Sequence, residues 1–154
     1  RGHRAACSGI TNDCAQRHMN ILFSAHSGLR YLVLLAALLA ILALTYSVAT
    51  GRSFAIARAL ATSFAGLLDF QIVLGIGLVM GGMFPDAVTG HLMLMVLAAI
   101  VTHAGFIVGQ QSTSDRRELG IRLGGILLAL ALIVVGIMAL GQSVLGHSAP
   151  LLPH

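Results

Sequence analysis

Four apolar runs dominate the pattern of the chain: approximately Leu29 to Ala49, Phe54 to Met80, Ala87 to Gly109 and Leu119 to Gly141. Each is continuous over about 20 residues, the length of helix that crosses a hydrocarbon core of roughly 30 Å. A membrane barrel strand would instead alternate polar and apolar positions over about 10 residues. The runs therefore predict helices, which satisfy their own backbone hydrogen bonds in lipid. The breaks between them are short and polar. Thr50, Gly51, Arg52 and Ser53 form the first; Gly81, Gly82, Met83, Phe84, Pro85 and Asp86 form the second. The third, Gln110 to Glu118, holds the densest charge cluster, Asp115, Arg116, Arg117 and Glu118. Connections of this length predict an all-α membrane protein whose four transmembrane helices form an antiparallel up-down-up-down bundle. They leave room for a single domain over residues 19–154 and for no separate soluble domain.

Composition sharpens the class. Hydrophobic residues make up 57% and charged residues 9% of the chain, mean hydropathy is +0.93, and lysine is absent from the sequence. The expected partner is the lipid bilayer, with no nucleic acid, because the arginines gather at helix ends and form no exposed basic domain. No G-x-S-x-G elbow is present, and the hydroxyls of Ser47, Thr62 and Ser63 are expected to bond to their own helices. An electron-transfer protein or accessory subunit fits this chain better than a stand-alone enzyme. Arg52 and Arg58 flank the first turn and Arg116, Arg117 and Arg122 the third. The positive-inside rule then puts those turns in the cytoplasm and both termini outside. Arg1, Arg4, Arg17 and Arg30 run against that orientation.

Residues 1–18 contain no apolar core and read as a disordered leader. Met19, directly ahead of the hydrophobic pattern, is an alternative start of the native chain. Cys7 and Cys14 in this leader fit neither a C-x-x-C-H haem attachment site nor a C-x-x-C redox pair.

Folding the chain about Gly51, Phe84 and Ser114 gives each polar residue a depth. His26 comes level with Ile76, Leu92 and neighbouring His91; Arg30 falls near Ile72 and Gln71, within about a turn of Asp69. His103 stands alone nearer the other end. Two neutral imidazoles on separate helices suit the axial positions of a b-type haem, giving His26 and His91 as ligands to the haem iron, with His103 as a further candidate. Gly28, Gly75, Gly77, Ala98 and Ala99 are candidate walls. The alternative is that His26 anchors at the interface while His91 bonds Asp69 or a carbonyl. Arg30 and Asp69 are expected to form a buried ion pair locking the first two helices. A functional alternative makes Asp69, with Gln71 or His103 beside it, a proton acceptor at a quinone site. Met80, Met83, Met93 and Met95 with His26, His91 and His147 offer soft donors for Cu(I), although methionine is also a common packing residue. Gly120, Gly124, Gly125, Gly136 and Gly141 permit close helix approach, either to the first helix or to another subunit of a larger respiratory or photosynthetic complex.

Three segments also carry a resemblance. His26-Ser27-Gly28-Leu29-Arg30-Tyr31, then Asp69-Phe70-Gln71 with Leu74-Gly75, then His91-Leu92-Met93-Leu94-Met95 ending in His103-Ala104-Gly105, resemble a family of small four-helix bacterial membrane proteins labelled cytochrome b-like. The resemblance runs from His26 to about Gly141 and implies His26, Asp69, His91 and His103 as the family's polar positions. In such sequences an acidic residue commonly precedes the third-helix histidine; here Gly90 stands there, so any group orienting His91 must come from elsewhere.

Overall fold

The computed structural model describes the backbone of residues 3–52, 55–82 and 86–140, and the side chains of 16–52, 55–82 and 88–140. Four helices follow in order: α1 (His3–Thr50), α2 (Ala55–Met80), α3 (Asp86–Gln110) and α4 (Asp115–Ala139). All four contain segments long and apolar enough to cross a membrane, and the chain is a multi-pass, all-α, four-helix bundle. The two turns whose glycines are described use backbone conformations open to few other residues. Gly51 has φ +69° and Gly82 φ +97°, and glycine alone adopts such angles without steric cost.

Buried positions explain why the helices assemble. In α1 they are Val33, Ala37, Ala40, Leu44 and Ser47; in α4, Leu119, Arg122, Ile126, Ala129, Ile133 and Gly136. Ala57, Ala61, Phe64, Leu68 and Gln71 of α2, and Met95, Ala98 and Thr102 of α3, keep the same alternation of three- and four-residue steps. A 3.5-residue repeat of this kind holds one seam of each helix toward its partners in left-handed packing. Apolar burial gives little drive between helices already in lipid, so close fit has to supply it, and small seam residues let backbones approach. The closest approach joins α3 to α4. A Cβ on Gly105 would lie 3.4 Å from the Gly125 Cα, and one on Gly125 would lie 3.4 Å from the Gly105 Cα. Gly125 thus serves α3 and not the first helix, while Gly120 and Gly124 have open space where a Cβ would stand.

The packing is uneven around the bundle. α3 lies mainly on α4 and α1 mainly on α2, α1 meets α4 more lightly, and α2 meets α3 sparsely. Among the described residues the backbones of α1 and α3 make no contact, and these two helices stand diagonally opposite.

Two boundaries differ from the sequence pattern. Helical backbone begins at His3, well ahead of the first apolar run; the side chains of Cys7 and Cys14 lie outside the described residues. α4 begins at Asp115, four residues ahead of the apolar run, because Ser114 caps it: its Oγ accepts from the Arg117 N–H at 3.4 Å. The charge cluster assigned to a turn is the first turn of a helix. Its acidic members, Asp115 and Glu118, suit the positive end of the helix dipole. They also receive Arg58 from α2, whose Nη2 lies 2.9 Å from Asp115 Oδ1 and 2.8 Å from Glu118 Oε2. Glu118 Oε1 meets Arg122 at 2.7 Å, and the Arg122 guanidinium lies over the Phe106 ring. Ser47 and Thr62 bond to carbonyls four residues back, as expected of hydroxyls in apolar helices.

Candidate functional site

His91 lies on the α3 seam, seven residues before Ala98, and is pointed by that seam toward α4. Its Nδ1 is 2.9 Å from the Gly136 carbonyl oxygen. A helical carbonyl ordinarily accepts from the N–H four residues on, but Leu140 N–H turns back to Ile137 O at 3.2 Å as α4 ends. The Gly136 carbonyl is therefore open to a side chain, and a histidine N–H fills the place. Glycine keeps this space open: a Cβ would stand 2.7 Å from Met95 Cε and 3.3 Å from His91 Nδ1, so the methionine end and the imidazole would both have to shift. With Nδ1 donating to a carbonyl, the neutral ring carries its free lone pair on Nε2.

His26 continues the α1 seam, seven residues before Val33. Its ring covers Gly75 of α2, where a Cβ would lie 3.2 Å from His26 Cε1. The backbone carbonyl of His26 accepts from Gln71 Nε2 at 2.8 Å, which fixes α1 against α2 at this level. Nδ1 of His26 is buried with no hydrogen-bond partner. His26 and His91 stand at the Gly82 end of the bundle, on diagonal helices.

Asp69 faces α3, where its Oδ2 lies 3.2 Å from His103 Nε2, so His103 is the neighbour of Asp69 and the contact joins α2 to α3. Asp69 and His103 fall one residue beyond the seam positions Leu68 and Thr102 and so project beside the core. His103 is consequently not a lone histidine. Arg30 folds over its neighbour, with Nη2 donating to Tyr31 Oη at 3.1 Å and the guanidinium 4.9 Å from the ring centroid. Gln71, a seam residue, serves His26 and is not part of a relay with Asp69.

Of the candidate walls, Gly75 is occupied by His26 and Gly77 by Leu22, which a Cβ there would meet at 3.3 Å. Ala98 sits in the core, and Ala99 borders a groove between α2 and α3. The methionines scatter: Met80 and Met93 are exposed and Met95 is buried, while Met83 and His147 lie outside the described residues. Among the described residues no three His, Cys, Asp or Glu side chains gather in a way that could hold a metal ion.

A haem needs two ligand atoms with room between their helices, which neighbouring helices at about 8–10 Å do not leave and diagonal ones do. His91, oriented by a backbone carbonyl as metal-bound histidines commonly are, fits that role. His26, at the same end of the bundle on the diagonal helix, is its candidate counterpart. No family model matches the chain, and neither a curated protein nor a solved structure does.

Proposed function

We propose that this protein is a b-type cytochrome-like electron carrier of a bacterial inner membrane, with His26 and His91 as the ligands of one haem. The arginines at the Gly51 end and around Ser114 support a cytoplasmic location for those turns and an outer location for both termini. The observation that carries the reading is the His91 Nδ1 contact with Gly136 O at 2.9 Å, which leaves the free lone pair of the neutral ring on Nε2, on the helix diagonal to the one that holds His26. A bound haem would supply one-electron chemistry, its potential tuned by the two imidazoles and their surroundings. The chain's own contributions are distinct. Gly136 holds His91 in orientation, Gly75 admits the His26 ring, and Gln71 pins the His26 backbone. The lipid-facing leucines and valines outside these positions keep water away from them.

Protein purified in mild detergent from haem-sufficient cells should show reduced-minus-oxidised bands of a low-spin haem that acid acetone extracts, because no C-x-x-C-H site attaches it covalently. His26→Ala and His91→Ala should each shift the spectrum toward high spin, while His103→Ala should leave it largely intact. Recovery of folded, colourless protein would overturn the reading and favour an accessory subunit of a larger membrane complex.

A further inference from the structure

We propose that the groove between α2 and α3 is a binding site, entered from the bilayer, for a quinone or quinol. The sparse contact of these two helices leaves a groove of about 560 Å³, whose walls include Ile72, Val73, Val96 and Ile100. That volume lies within the range of roughly 300–1,000 Å³ common for small-molecule sites. The polar side chains in its lining are Asp69 and His103, side by side at 3.2 Å and exposed to 47% and 50%. The exposed ion pair Arg58–Asp115 stands at a helix end, whereas Asp69 and His103 lie within the spans. Asp69 and His103 instead stand open toward hydrocarbon near the middle of α2, where ionisable groups are costly unless something polar meets them.

The chemistry of the pair narrows the occupant. A carboxylate accepts hydrogen bonds only, whereas an imidazole offers an N–H. With Nε2 of His103 turned to Asp69, a ligand carbonyl can be met by the Nδ1–H of the imidazolium and a ligand hydroxyl by the second oxygen of Asp69, matching the oxidised and reduced forms of one quinoid head. Phospholipid headgroups stay at the interface, far from this depth, and a fatty-acid carboxylate would be repelled by Asp69. The site is separate from His26 and His91, so the inference stands whether or not a haem binds there.

The test uses the full chain in lipid nanodiscs, titrated with decylubiquinone and with decylbenzene, which carries the same tail without oxygens. Saturable binding of one decylubiquinone per protein is expected, unmatched by decylbenzene, in protein prepared with or without haem. Asp69→Asn and His103→Leu should each weaken it at least tenfold. Val96→Trp, which fills the groove without touching the pair, should abolish it, and Leu128→Ala, on the outer face of α4, should bind like wild type. Should the polar variants fail to fold, an azido-quinone crosslinked to the wild-type chain serves instead, with label expected on the peptides holding Asp69 or residues 96–104. Equal uptake of decylbenzene, unchanged affinity in Val96→Trp, or label confined to α1 and α4 would overturn the proposal.

Discussion

At Gly136 a single hydrogen in place of a methyl decides whether His91 has somewhere to lie. A Cβ there would press on Met95 Cε and on the His91 ring, and overpacking of a close-packed interior costs about 1–3 kcal/mol. Gly136→Ala should therefore lower thermal stability in detergent by that order and break the Nδ1 contact, seen as a changed tautomer in imidazole ¹⁵N spectra. Gly124→Ala is the control: open space surrounds that position, and alanine favours a helix over glycine by about 1 kcal/mol, so it should be neutral or mildly stabilising. The sequence makes the histidines conspicuous, since lone polar side chains stand out in apolar runs. It hides the partner of His91, because every residue has a carbonyl and only the end of α4 makes this one available. Depth along the axis likewise brought Arg30 near Asp69, but level alone does not say which way a side chain points. The seven-residue seam separates Gln71, which turns inward, from Asp69, which does not.

Between whole elements, the contact most exposed to test is the one that ties α2 to α4. Glu118 receives Arg58 from α2 and Arg122 from its own helix. Its removal would leave the nearly buried Arg122 without its carboxylate, and breaking a buried pair costs about 3–5 kcal/mol. Partial exposure of Arg58 places the expected loss for Glu118→Ala at the lower end, about 3 kcal/mol, measured by thermal unfolding in detergent. Asp115→Ala should change stability by no more than about 0.5 kcal/mol, because that carboxylate is 63% exposed. An equal effect of the two substitutions would show that helix-end electrostatics, not the α2–α4 tie, sets the stability. Run length alone makes four helices legible. Their starts are less so: the charge cluster from Asp115 to Glu118 reads as a turn until the Ser114 cap and the Arg58 contacts make it the opening of α4.

For the molecule as a whole, contacts divide into two helix pairs, α1 with α2 and α3 with α4, which meet chiefly along α1 and α4. Co-expressed fragments divided between Gly82 and Asp86 should therefore reassemble, and co-purification of a tagged first fragment with the second is the measurement. Glu118→Ala should reduce the yield of that complex, and failure of the unaltered fragments to associate would mean that the connection itself is needed. The same division has a consequence for synthesis. Arg58 and Glu118 are 60 residues apart in the chain, so at about 5–20 residues per second the ribosome makes the carboxylate on the order of several seconds after the guanidinium. During that interval the nascent first pair must hold its arginine at the membrane surface, with the charge kept in water by a long, flexible side chain. The last pair of helices to leave the ribosome thus carries the acid that draws this arginine in, and its arrival marks the moment at which the nascent chain becomes one body.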